Sequence, residues 1–266
     1  MNQLALSIGN ALVAICSQYW GKQETGAIRK MTGVALALSV LIGAIVVTAC
    51  TRIPEQLLRI FTTSPEIIAE GKAYLGLLKW TFLLFMISNL LIAMLRSVET
   101  VKISFVISVV SLITNGCINY TLIFGHFGFP EMGIQGAAVG TLTARMLELL
   151  IIVVYIWKID TKVRLFDINL FRTIFLPENR KIWGAFFKVA FPILCSGMIW
   201  AISVPMQTAI LGHLSADAIA ANSVSSTFFQ YLKVIVIAIS SASAVVIGKD
   251  IGAVSYTHLR AHETDS

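Results

Sequence analysis

Seven times along this chain of 266 residues, a run of roughly 20 residues passes with almost no charge. A helix of that length is roughly 30 Å long, the thickness of the hydrocarbon core of a bilayer. Inside that core no water is available to the backbone, so an α-helix is the natural state of each run. The expected spans are 2–20, 31–51, 73–95, 103–125, 132–156, 189–211 and 218–247. Composition agrees, with 57% apolar residues, 13% charged residues and a mean hydropathy of +0.83. Soluble domains carry about 25% charged residues. The fold class is therefore an all-α membrane protein, a polytopic helical bundle.

The net charge of +6 does not point to nucleic acid, because no basic stripe is interleaved with aromatic residues. It sits in the connections instead. Segments 21–30, 96–102, 157–188 and the stretch from 248 onward hold 3, 2, 7 and 2 Lys and Arg, against 3, 0 and 0 in segments 52–72, 126–131 and 212–217. Positive residues favour the cytoplasm. The first set is therefore expected inside and the N-terminus of the first span outside. Cys16, Cys50, Cys117 and Cys195 fall one to a segment without a CxxC pair and read as buried free thiols. No signal-peptide pattern opens the chain.

In segment 52–72, Pro54 and Pro65 each suit the first turn of a helix, with Ser64 as N-cap. A short amphipathic helix carrying Leu57, Leu58 and Phe61 is expected there. Segment 158–188 reads as a cytoplasmic linker between two bundles. An internal repeat at an offset of 227 aligns Gln3, Ile8, Ala11, Gly21 and Lys22 with Gln230, Ile235, Ala238, Gly248 and Lys249. Both copies end an apolar span with Gly-Lys. On this offset a second half starts near residue 180 and is largely absent. The polar residues 254–266 lack a helical apolar stripe and read as a non-native tail, although His258 and His262 have the i, i+4 spacing of a metal pair.

Polar groups inside spans are costly and face the bundle interior or water. Asn115 and Asn119 lie one turn apart on one face of the fourth span, continued by Ser108 and Ser111. They suit either cation or substrate binding through carbonyl oxygens or hydrogen bonds that join helices. Glu148 is the one carboxylate in any span, three residues after Arg145. It is a candidate proton carrier or half of a structural ion pair. Lys79 is placed to snorkel outward, whereas Lys233, near mid-span, is expected to face a wet cavity. Gly133, Gly136 and Gly140 with Ala137 and Ala144 permit close packing of the fifth span. Pro192 and Pro205 are expected to bend or break the sixth span, which carries Trp200 and Gln207. There is no GxxxxGK[ST] loop for ATP, no Ser/His/Asp set and no metal-ligand cluster in the spans. A secondary transporter fits better than an enzyme.

Four stretches resemble the multidrug and toxic compound extrusion (MATE) transporters. ALVAICSQYWGK (11–22) is similar to the end of that family's second helix, and YLGLLKWTFLLFMISNLLIAMLRSVETVK (74–102) to its fourth. NGCINYTLIFGHFGFPEMGIQGAAVGTLTAR (115–145) resembles the fifth and sixth helices with their outer loop. FPILCSGMIWAISVPMQTAILGHLSADAIAANSV (191–224) resembles the seventh and the start of the eighth. The resemblance implies a twelve-helix, two-lobe antiporter that exports organic cations or drugs from the plasma membrane against Na⁺ or H⁺, with no other cofactor. The spans here would be its helices two to eight, with 1–157 in the first lobe and 189–253 opening the second. The complete protein is expected to be monomeric in the lipid bilayer, without ATP or nucleic acid, and the fragment alone is expected not to transport.

The same resemblance implies cation or substrate contacts for Asn115, Asn119 and Thr141, with Glu148, Trp200 and Gln207 as further candidates. Asn119 stands where one branch of the family has an aspartate, and Trp200 where another has a glutamate. The coupling ion therefore stays open. Two other readings are a lipid-linked oligosaccharide flippase of the same superfamily, for which Lys79 and Lys233 are thin support, and a seven-helix receptor. The repeat argues against the receptor.

Overall fold

The computed structural model describes residues 2–59, 65–167, 180–214 and 216–264, with backbone alone at 67, 167, 180, 205, 208–209, 212–214, 216–220 and 255–264. Eight α-helices are described: α1 (Asn2–Gly21), α2 (Thr25–Arg52), α3 (Pro54–Arg59), α4 (Pro65–Ser97), α5 (Lys102–Phe124), α6 (Gly133–Lys158), α7 (Arg180–Leu214) and α8 (Ala216–Thr264). Six of the described helices contain stretches long and apolar enough to cross a membrane: Thr25–Arg52, Ile68–Ser97, Lys102–Phe124, Gly133–Lys158, Lys181–Val204 and Ala221–Val254.

The expected first span differs from the other six. It is helical over Asn2–Gly21, yet Gln3, Ser7, Asn10, Ser17 and Gln18 dilute its apolar character and it is not among the six. Its position explains the difference. α1 is the central helix, packed against α2, α4, α7 and α8, so protein rather than lipid covers most of it. Ile8, Ala11, Leu12 and Cys16 are fully buried there. Around them pack Ile28, Met31 and Ala35 of α2, Leu90 and Met94 of α4, Ile152 and Ile156 of α6, and Phe186 of α7. Conversely, Leu112 of α5 is 73% exposed and Phe228 of α8 is 68% exposed. Apolar side chains that point outward along a spanning helix are suited to lipid.

Local signals place several helix ends where the chemistry requires them. Pro54 and Pro65 both occupy the first helical position of α3 and α4, where a missing N–H costs nothing. Leu58 of α3 packs against Gly71 of α4; Ser64 and Phe61 lie outside the described residues. α5 stops at Gly125, whose φ of +67° closes a left-handed cap with its N–H donated to the Thr121 carbonyl.

Several expectations need correction. α7 begins at Arg180, inside the segment read as a linker, and Phe186 is already core. The same helix runs unbroken through Pro192 and Pro205, because loss of one backbone hydrogen bond is tolerated inside a long helix whose other bonds remain. α8 continues as helix to Thr264, past the point at which the apolar pattern ends; the side chains of His258 and His262 lie outside the described residues. Of the four free thiols only Cys16 is buried. Cys117 is exposed, and Cys50 and Cys195 are intermediate.

Candidate functional site

α5 and α6 form a hairpin whose two helices approach closely. A Cβ added at Gly136 would stand 2.8 Å from the Leu122 backbone, so Gly136 allows the tight packing expected of it, whereas Gly133 has nothing within 4 Å and instead takes a φ of +52° at the turn. The Met132 N–H donates to the Leu122 carbonyl across the turn at 2.9 Å. This contact sets the register that brings the polar residues of the two helices together.

The resulting seam runs along α5 at four-residue spacing. Asn119 Nδ2 donates to Asn115 Oδ1 at 3.0 Å, and Asn115 Nδ2 reaches Thr141 Oγ1 on α6 at 3.5 Å. Thr141 Oγ1 donates back to the Ala137 carbonyl at 2.9 Å. Asn119 Oδ1 is buried without a hydrogen-bond partner and lies where a Cβ on Gly140 would come within 2.2 Å. A buried carbonyl oxygen left without a donor carries a desolvation cost of about 1–3 kcal/mol. It is also a hard, neutral acceptor of the kind that alkali and alkaline-earth cations favour.

One turn further along α5 the seam reaches Glu148, a buried residue of α6. Ser88 Oγ of α4 donates to Glu148 Oε1 at 2.8 Å, and Ser111 Oγ of α5 to Oε2 at 3.3 Å. Arg145 Nη1 pairs with Oε2 at 2.6 Å, and its guanidinium lies 4.6 Å over the Phe85 ring. The expected i, i+3 pair is present, supported by two hydroxyls and an aromatic face. Three side chains from three helices thus compensate one carboxylate within the apolar bundle. Ser108 is turned away from this cluster, donating to the Ser104 carbonyl at 2.9 Å.

The other two expected site residues lie elsewhere, on α7. Trp200 is stacked under Lys233 of α8, whose Nζ lies 3.8 Å from the ring centroid, and Gln207 Nε2 reaches Asn222 Oδ1 at 3.5 Å. Lys79 donates to Thr51 Oγ1 at 3.1 Å instead of reaching solvent alone. Residue-by-residue reading missed Ser88 and its neighbour Asn89, a buried residue of α4 whose Nδ2 donates to the Ala5 carbonyl of α1 at 2.9 Å. Small polar residues in an apolar run are common, and only the partner across the helix interface distinguishes these two. Among the described residues no group of three or more His, Cys, Asp and Glu could hold a metal ion.

The MatE family model matches residues 2–121, the stretch holding α1 to α4 and most of α5. Over that stretch the chain is similar to the MATE family. A probable multidrug resistance protein NorM of Rhizobium meliloti is 26% identical over 242 residues, covering 90% of this chain and 50% of that relative. Another protein of the same description, from Bacillus cereus, is 31% identical over 159 residues, covering 60% of this chain and 34% of its own length. Among solved structures, a MOP superfamily transporter from Pyrococcus furiosus, described as having a binding pocket of reverse polarity, superposes with a TM-score of 0.81 at 18% identity. That superposition covers 94% of this chain and 54% of the other. The chain spans about half the length of the curated relatives it first matches. Its helical bundle is the fold of these MATE and MOP superfamily transporters.

Proposed function

We propose that the chain is part of a multidrug exporter that moves organic cations out across the plasma membrane in exchange for Na⁺ or H⁺. The observation that carries this reading is the polar seam Asn119–Asn115–Thr141 continuing to Glu148, buried within an apolar bundle where each polar group is costly. The matched relatives are described as probable multidrug resistance proteins, which favours export over a flippase or a receptor. Residues 1–157 belong to the first lobe, 158–188 link the lobes and 189–253 open the second, although the helix of the second lobe starts earlier, at Arg180. The basic segments face the cytoplasm, and 254–266 contribute nothing to transport.

In this reading the oxygens of Asn115, Asn119 and Thr141 receive the coupling cation, with the unpartnered Asn119 Oδ1 as the first ligand. Glu148 is the carboxylate available for a proton. Trp200 and Gln207 line the path of the organic cation on the opposite helices. The test is efflux of a fluorescent organic cation from a bacterial host lacking its own pumps, with the gene expressed at full length. Asn115→Ala is expected to lower the efflux rate at least about tenfold, the effect of losing about 1.4 kcal/mol at a site, while Cys117→Ala leaves it unchanged. Equal rates for the two variants would overturn the assignment of Asn115.

A further inference from the structure

The two Gly-Lys span ends related by the 227-residue offset meet in space. At one end of the bundle the last turns of α1 cross α8. A Cβ on Gly21 would stand 2.0 Å from the Lys249 carbonyl oxygen, one on Gly252 2.0 Å from the Gln18 carbonyl oxygen, and one on Gly248 2.1 Å from Ser17 Oγ. No side chain fits at Gly21 or Gly252, so the helices touch there backbone to backbone, and Gly248 makes room for the Ser17 hydroxyl. Over 221–240, by contrast, nearly all of α8 is exposed; Phe229 and Tyr231 are 60% and 70% exposed. α8 is therefore held to the central helix mainly through this one crossing.

A charged cluster spans the crossing. Lys249 Nζ lies 2.8 and 3.0 Å from the two oxygens of Glu99, in the turn between α4 and α5. Trp20 Nε1, from the end of α1, donates to Glu99 Oε2 at 3.2 Å. Lys162, from the connection after α6, donates to the Val98 carbonyl at 2.8 Å and lies 5.5 Å over the Trp20 ring. Glu99 has φ of +59° and Gln23 +61°, a left-handed conformation that non-glycine residues adopt infrequently. Both line one open cavity of about 540 Å³ with Trp20, Thr25, Lys162 and Lys249. A strained turn that aims its carboxylate at a lysine of another helix, beside water, has the properties of a contact built to be made and broken. Neither the glycine crossing nor this cluster takes part in the seam around Asn115.

We propose that Glu99 and Lys249, with Trp20 orienting the carboxylate, form an ionic latch that holds α8 against α1, and that this end of the bundle opens only when the pair separates. The latch itself stands on the geometry alone; its role as a gate rests on the exporter reading. Opening would part the Gly21–Lys249 contact and expose Ser17, which is fully buried beneath Gly248.

The test needs no transport, so a failure of the exporter reading leaves it intact. In a background with all four native cysteines replaced, Ser17→Cys is placed in this chain in lipid nanodiscs and labelled with a water-soluble methanethiosulfonate. Labelling is expected to be slow. Glu99→Lys and Lys249→Glu are each expected to accelerate it by about three- to tenfold, the scale of a solvent-accessible ion pair exchanged for repulsion. The double swap is expected to restore the slow rate, which separates a broken latch from a damaged fold. Labelling at the native rate in both single reversals, or failure of the swap to restore the slow rate in a helical, monodisperse sample, would overturn the proposal.

Discussion

Replacing Arg145 by methionine isolates the energetic logic of the buried cluster. The Glu148 side chain is 6% exposed and that of Arg145 is 32% exposed. Arg145→Met would leave the carboxylate with the hydroxyls of Ser88 and Ser111 and no cation. Removing one partner of a fully buried pair costs about 3–5 kcal/mol. Because the Arg145 side chain is about one-third exposed and the pair is only partly enclosed by protein, the expected loss is nearer 2–3 kcal/mol. About 0.5–1 kcal/mol of that comes from the lost stacking on Phe85. The informative variant is the pair Arg145→Met with Glu148→Leu. It removes the charge instead of stranding it, and Ser88 Oγ already lies 3.4 Å from the Phe85 carbonyl, ready to donate there. The double variant is expected to recover all but about 1 kcal/mol, because an apolar replacement of a buried pair is often close to neutral. Reversible unfolding in mixed micelles with rising SDS, followed by helical circular dichroism, would give the free energies of the parent, Arg145→Met, Glu148→Leu and the double variant, and so the losses in the three variants. A coupling energy above about 1.5 kcal/mol is the expected result of the cycle. Additive losses, with the double variant the least stable of the three, would show that the carboxylate is not compensated by Arg145 and refute the reasoning.

Two further outcomes follow from the same contacts. Gly140→Ala is expected to destabilise the protein by about 1–3 kcal/mol, because its Cβ would collide with Asn119 Oδ1 at 2.2 Å, whereas Gly116→Ala, with nothing within 4 Å, should be tolerated; thermal unfolding of the two variants checks the contrast. The Lys249 ammonium, and then the Trp20 indole, hold the Glu99 carboxyl below its ordinary 4.5. A group whose value falls on folding stabilises the folded contact above its unfolded value and loses that contribution as pH falls through the folded one. The α1–α8 crossing should therefore be unchanged from pH 7 to pH 5 and loosen only below the ordinary carboxylate range. Hydrogen exchange at residues 248–253, corrected for intrinsic rates, would reveal a contrary opening already near pH 5.

Much of this protein is one-dimensional in origin. Charge-free runs must be helical in a bilayer because their backbones have no other partner, so α2, α4, α5, α6, α7 and α8 were all legible as spans. Pro54 and Pro65 announced two helix starts, and the four-residue spacing of Asn115 and Asn119 placed them on one face. Arg145 and Glu148 were likewise legible as a pair, since three residues along a helix bring them together whatever surrounds them. Such features depend only on chain geometry and solvent.

What tertiary structure decided were the partners across helix interfaces. α1 looked like one span among seven, but packing made it the centre of the bundle, where protein shields Ser7 and Ser17. Ser88 gave no signal until α4 lay against α6, and Glu99 and Lys249 are 150 positions apart. Pro192 and Pro205 suggested a bend or a break in α7, and the helix continues through both without a break. Hydropathy reports the preference of each residue for water or lipid; it carries no information about which neighbour takes the place of either.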